Sequence, residues 1–156
     1  MKKKEFLRIA GELNKKLGIT PLLFGSLGLE QRLCTNMNAD DIDILIPEIY
    51  LNGKWDSIVA LMNADGYALY DLHEHAFEKS GTSIAFASIE SLTPFAGVDV
   101  AHIPVVEEAG VRYYLLGLED YLKVYTASSK DGYRKNTKNK NDEAKIELIK
   151  EALGCG

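Results

Sequence analysis

Apolar residues recur three and four positions apart at Phe6, Ile9, Ala10, Leu13 and Leu17, which predicts an amphipathic helix over 3–17, closed by Gly18. The period then changes. Leu22-Leu23-Phe24 is a short apolar run ending at Gly25-Ser26, and 27–33 again has the spacing of a helix. After a polar loop at 35–39, the segment 41–46 reads as a buried strand stopped by Pro47. Trp55, Ile58, Val59, Leu61 and Met62 put a second amphipathic helix over 54–64. Strand patterns follow near 67–78 and 82–89 with Gly81 as the turn between them, then at 97–101 and 111–116. Two further helices are predicted at 118–128, where Glu119 and Asp120 suit the positive end of a helix, and at 142–153. A basic loop over 130–141 separates them. This order predicts an α+β, sandwich-like domain spanning 1–156: a mixed β-sheet with helices mainly on one face. The N-terminal helix lies within 1–20, the sheet within 22–116 and the C-terminal helices within 117–153.

Charge is unevenly spread. Residues 36–122 carry fifteen acidic and three basic side chains, whereas 123–150 carry eight basic and four acidic ones. Such a split suits an anionic, metal-bound ligand held between the two regions, although solvated surface accounts for segregation of this kind equally well. It also makes extended nucleic-acid binding a less favoured role, with the basic segment keeping it open. Two cysteines, Cys34 and Cys155, are too few for a disulfide framework and point to a reducing, cytoplasmic setting. The lysines at 2–4 are not followed by the apolar stretch of a signal peptide, and no run is long enough to span a membrane.

Within the strand at 41–46, Asp41 and Asp43 alternate with Ile42 and Ile44. Residues two apart on a strand share a face about 7 Å apart, so the two carboxylates lean out together and repel unless a cation lies between them. The Gly25-Ser26 turn precedes the pair by a 14-residue spacer. A glycine there lets backbone approach a ligand, and the amides of the following helix, with the Ser26 hydroxyl, can hold a phosphate. Ser26 as an ordinary helix cap is the plainer alternative. Asp99, flanked by Val98 and Val100, is the candidate third carboxylate, expected on a strand beside the aspartate pair. Three such oxygen donors suit two Mg²⁺ ions about 4 Å apart when phosphate and water complete the coordination.

Phe24-Gly25-Ser26, followed by Asp41-Ile42-Asp43-Ile44 and a later strand acid, resembles the signature of the nucleotidyltransferase superfamily typified by DNA polymerase β. Leu118-Glu119-Asp120-Tyr121-Leu122-Lys123-Val124, with Lys138, Lys140, Asp142 and Ile146 beyond it, is similar to the helix–basic loop–helix ending of small bacterial members. These include antibiotic-modifying enzymes and abortive-infection toxins. The resemblance implies the nucleotidyltransferase fold and transfer of a nucleoside monophosphate from an NTP to an acceptor hydroxyl, with two Mg²⁺ (or Mn²⁺) ions and release of pyrophosphate. It implies metal ligation by Asp41, Asp43 and Asp99, with Asp99 also helping to deprotonate the acceptor. Gly25 and Ser26 would bind the nucleotide phosphates, with Lys123, Lys138 or Lys140 neutralising their charge. Minimal members continue Gly-Ser with Xaa-Ala-Arg-Gly, whereas this chain has Leu27-Gly28-Leu29-Glu30, leaving Arg32 as the nearest substitute.

Other readings stand beside this one. A non-catalytic relative would keep the fold as a nucleotide-binding or protein-interaction module, and a phosphohydrolase could use the same acids. His73 and His75 share a strand face in this pattern and could ligate zinc, but with His102 alone downstream no fourth ligand is apparent. The tyrosines at 113, 114, 121 and 125 fit core or rim packing better than stacking on a base. An antibiotic, a nucleic-acid 3′ end and a protein hydroxyl all fit the chemistry of the acceptor.

Overall fold

Strand β2 (Ile42–Ile46) sorts its side chains by alternation, and that sorting organises the molecule. Ile42, Ile44 and Ile46 enter one apolar cluster, while Leu45 enters a second on the opposite face of the sheet, with Asp43 beside it. The computed structural model describes residues 2–35, 39, 41–130 and 139–154, residues 139–142 by backbone alone. In chain order the remaining elements are α1 (Lys2–Glu12), β1 (Leu22–Phe24), α2 (Gly25–Leu33), α3 (Trp55–Ala64), β3 (Ala68–Asp71), β4 (Ala76–Lys79), β5 (Thr82–Ser88), α4 (Leu92–Ala96), β6 (Val105–Glu108), β7 (Val111–Leu115), α5 (Leu118–Lys130) and α6 (Asn139–Ala152). The strands form one seven-stranded sheet in the order β3-β4-β5-β2-β1-β7-β6. It is mixed: β1 runs parallel to β7 and β2 parallel to β5, while the other pairs are antiparallel.

The α+β class and the mixed sheet agree with the sequence pattern, and helices pack on both faces. Helices α1 and α3 bury Phe6, Ile9, Ile58 and Met62 against Ile44, Ile84, Phe86 and Tyr113. On the other face α4, α5 and α6 bury Leu92, Tyr121, Val124 and Ile149 against Leu22 and Leu45. Fully burying side chains of this size contributes about 1.5–3 kcal/mol each, so both layers carry the fold. The second layer stops at β2. Beyond it Ala85 and Ala87, in register with Asp43 and Leu45 and so on the same face, line an open cleft or stand exposed.

Three local differences from the pattern have physical causes. The apolar stretch at 67–78 divides into β3 and β4 around a turn at 72–75, where the Asp71 carboxylate accepts the Glu74 amide at 3.1 Å and His75 has a φ of 52°. Strand β6 was hidden by its exposed, acidic composition. It joins β7 through Ala109-Gly110, both at positive φ, the geometry of a tight hairpin turn. The segment 97–101 is not a strand. Gly97 ends α4 in the left-handed region, Val98 and Ile103 are buried anchors, and the chain between them makes one 3₁₀ turn, Val100–His102. Asp99 caps that turn by accepting the Ala101 amide at 3.1 Å. Alternating valines imitated a strand because two apolar anchors bracket a capped turn.

Candidate active site

The β1–α2 turn depends on two glycines. Gly25 lies at φ +66°, and a Cβ placed there would collide with Oδ2 of Asp43, its register neighbour being Phe24 across from Asp43 on β2. The Asp43 carboxylate therefore lies directly over the Gly25 backbone. Gly28, one turn into α2, faces the Tyr121 hydroxyl and the Leu23 carbonyl so closely that a Cβ has no room. Tyr121 is fully buried, and its hydroxyl lies 3.4 Å from the Leu23 carbonyl oxygen and 3.5 Å from that of Gly25. Burial above all pushes its pKa far up, with Tyr125 and the Asp43 charge adding to the effect, so Tyr121 serves as a neutral hydrogen-bond donor beneath the turn.

Helix α2 begins at Gly25 itself, with Phe24 as the preceding residue and no side-chain cap. Ser26 is thus inside the helix and is not its cap. Its hydroxyl accepts a hydrogen bond from Lys145 Nζ at 2.8 Å. Lys145 rises from α6 and lies 5.1 Å above the ring of Tyr125 on α5. The arrangement puts a helix N-terminus, a hydroxyl and an ammonium group together, three groups that each favour an anion.

Gly25, Ser26, Asp41, Asp43 and Lys145 all line one cleft of about 930 Å³. Its floor is the uncovered half of the sheet, with Ser83, Ala85 and Ala87. Its far wall is the β3–β4 hairpin, with Tyr70, Asp71, His73, Glu74 and His75. Tyr70 and Ser83 share a hydrogen bond of 3.0 Å on that wall. Phe95, Tyr125, Ser128 and Leu148 close the side nearest the helices.

Several predicted site residues lie elsewhere. Asp99 does not line the cleft. It is exposed, and its carboxylate is 2.6 Å from His102 Nδ1, a contact that together with the Ala101 amide holds its pKa below the usual aspartate value. The reason is the 3₁₀ turn: Asp99 never enters a strand and so never neighbours β2. Lys123 points away from the cleft into a shallow groove beside Phe95, Leu122 and Lys130, 3.9 Å from Asp120. Lys138 lies outside the described residues, and Lys140 falls at the start of α6, where the backbone alone is described. Arg32 donates to the Leu115 and Leu116 carbonyls at 3.0 and 2.8 Å, tying α2 to the end of β7. His73 is exposed, His75 packs edge-on against Trp55 at 4.7 Å, and His102 sits with Asp99. Sequence reasoning passed over Lys145 because α6 carries other lysines and nothing local marks the one that reaches Ser26.

The position facing Asp43 on β5 is Ala85, and Ala85 faces Ala76 on β4, which faces Asp71 on β3. Strands are spaced about 4.8 Å apart, so Asp71 stands roughly 14 Å from Asp43 along this row. Among the described residues no three His, Cys, Asp or Glu side chains form a cluster that could hold a metal ion. Two carboxylates beside the Gly25-Ser26 turn nevertheless fit one Mg²⁺, which commonly takes one or two carboxylates and completes its shell with phosphate oxygens and water.

No family model matches the chain. The uncharacterized protein YnaI of Bacillus subtilis (strain 168) is 45% identical over 149 residues, 96% of each chain. Among solved structures, ANT(2")-Ia in complex with adenylyl-2"-tobramycin superposes with a TM-score of 0.61 at 13% identity, covering 99% of this chain and 91% of that one. An antigenic nucleotidyltransferase-like protein from Paracoccidioides brasiliensis gives a TM-score of 0.65 at 17% identity, covering 94% and 74%. At such identities the likeness is one of fold, and the fold is that of nucleotidyltransferases. Among the described residues no helix is long and apolar enough to cross a membrane.

Proposed function

This chain belongs to the family of Bacillus subtilis YnaI, and from that premise we propose that it binds an NTP with a divalent cation in the cleft and transfers the nucleoside monophosphate to an acceptor hydroxyl. The observation that carries the reading is the convergence of Ser26, Lys145 and Asp43 on one turn from three separate elements. The amides of α2 and the Ser26 hydroxyl bind the terminal phosphates, and Lys145 neutralises their charge. Asp41 and Asp43 hold the cation, which when bound offsets phosphate charge and polarises the phosphoryl group. The acceptor lies on the open half of the sheet, between Asp43 and the β3–β4 hairpin. Its oxygen bonds to the α-phosphorus as the bond to the bridging oxygen breaks, pyrophosphate leaves, and the hydroxyl proton passes to solvent. The protein contributes positioning and electrostatics and forms no covalent intermediate.

Ala85 favours a second reading, in which the cleft binds nucleotide and performs no transfer. Calorimetry with each NTP and Mg²⁺, followed by a mass-spectrometric screen for nucleotidylated small molecules, tRNA and protein, separates the two. Nucleotide-dependent mass increments lost in Asp43→Ala support transfer, and tight binding with no product across all acceptors supports the binding module. Affinity unchanged in the Asp41→Ala/Asp43→Ala double variant would sink both.

A further inference from the structure

We propose that the cleft holds one divalent cation per nucleotide, the described residues offering no side-chain ligand for a second. The proposal rests on the nucleotide-binding reading above and on the row of residues that crosses the cleft floor. A second ion beside the first needs another anionic side chain within reach of Asp43. The register places two neighbours beside Asp43 on the same face of the sheet: Phe24 on β1 and Ala85 on β5. Neither has an oxygen. Ala85 is not a covered position whose small size packing demands, since it lines the open cleft.

The other described carboxylates near the cleft cannot substitute. Asp71 is three strands away, about 14 Å at strand spacing, and one of its oxygens already accepts the Glu74 amide. Glu74 lies on the same far hairpin. Asp99 is committed to His102 and Ala101 outside the cleft. Ser83 and Ala87, which flank Ala85 on the cleft face, add one hydroxyl, which hydrogen-bonds with Tyr70. Asp41 and Asp43 therefore complete one oxygen-rich site with the nucleotide phosphates, and the floor beyond, Ser83, Ala85 and Ala87, carries no carboxylate.

A carboxylate introduced at position 85 would stand one strand spacing from Asp43, about 4.8 Å at the backbone, close enough to share a bridging ion. The full chain is titrated with Mn²⁺ in the presence of a saturating ATP analogue carrying a methylene bridge between the α- and β-phosphorus. Bound Mn²⁺ is counted by electron paramagnetic resonance, corrected for what the analogue binds alone. The wild type is expected to take up one equivalent, and Ala85→Asp two, with the exchange-coupled signal of neighbouring ions. Two equivalents in the wild type would overturn the one-ion inference while leaving the nucleotide site intact. A folded Ala85→Asp that still binds one would refute the role of position 85. If the analogue binds but recruits no protein-held Mn²⁺, or does not bind, the inference falls together with the function. Should Ala85→Asp fail to fold, the wild-type count alone decides.

Discussion

Lys145 on α6 and Ser26 on α2 lie 119 residues apart in sequence and share a hydrogen bond of 2.8 Å. An ammonium group has only protons to offer, so the Ser26 oxygen is the acceptor and the serine proton remains available to a ligand. The bond aims the hydroxyl and places positive charge beside the N-terminus of α2. It also couples α6 to the turn that faces Asp43, so this end of the cleft is complete only when α6 is docked. The cluster of Tyr121, Val124, Tyr125 and Ile149 provides that docking.

Lys145→Met keeps most of the side chain's length and apolar stem while removing the charge. Charge-assisted hydrogen bonds contribute about 1.5–3 kcal/mol, so NTP affinity should fall roughly 10- to 100-fold. Ser26→Ala should cost less, and the double variant should cost less than the product of the two because each loses part of the same interaction. Calorimetry with MgATP reads all three. Wild-type affinity in Lys145→Met would make the lysine a structural strut.

Gly25→Ala tests the contact between the turn and the aspartate. The left-handed backbone costs a non-glycine residue about 1 kcal/mol, and the new methyl also displaces the Asp43 carboxylate. The expected outcome is a modest loss of stability with a disproportionate loss of Mn²⁺ binding. A protein destabilised by about 1 kcal/mol that binds Mn²⁺ as tightly as wild type would contradict the placement of Asp43.

Much of this arrangement is legible in the chain before any coordinates. The alternation of isoleucines with Asp43 fixes which face of β2 is buried, and the glycine and serine after Phe24 mark a turn that a ligand can approach. The neighbours of β2 are not legible, because strand order depends on how β5 pairs with it across some forty intervening residues. That is why Asp99, with the right flanking residues, was expected beside β2, and why Ala85, with no chemical signal of its own, attracted no attention. Lys145 was missed for a similar reason: helical periodicity places it near the α5–α6 face but cannot say which groove that face lies over.

Gly28 offers a test of packing beneath the site. Gly→Ala within a helix ordinarily stabilises by about 1 kcal/mol. Here the methyl meets both the Tyr121 hydroxyl and the Leu23 carbonyl, so Gly28→Ala should destabilise, by roughly 1–3 kcal/mol as in other overpacked cores. Adding Tyr121→Phe removes one of the two obstacles and should recover part of the loss. The carbonyl is backbone and cannot retreat, so recovery stays incomplete. Urea midpoints of the single and double variants measure this, and full recovery would show that the hydroxyl alone sets the limit.

The last prediction concerns acid. Glu5 on α1 accepts hydrogen bonds from Arg8 at 2.8 Å and from the buried Tyr67 hydroxyl at 2.6 Å, while Arg8 also pairs with Asp65 at 2.8 Å beyond the end of α3. The Arg8 bond, then the Tyr67 bond, hold the Glu5 pKa below its ordinary 4.5, and burial opposes them only in part. Protonation in the unfolded chain therefore begins at a higher pH than in the folded protein. The stabilisation is fully present above 4.5 and disappears as pH falls through the depressed folded value. Glu5→Gln should cost about 1 kcal/mol near neutral pH and make the decline in stability below about pH 4.5 shallower than in the wild type. Urea denaturation from about pH 7 to about pH 3 tests both parts. Parallel curves for the two proteins would remove Glu5 from the acid response and leave Glu108, whose pKa is lowered by Lys3 and then Tyr113, as the group to substitute next.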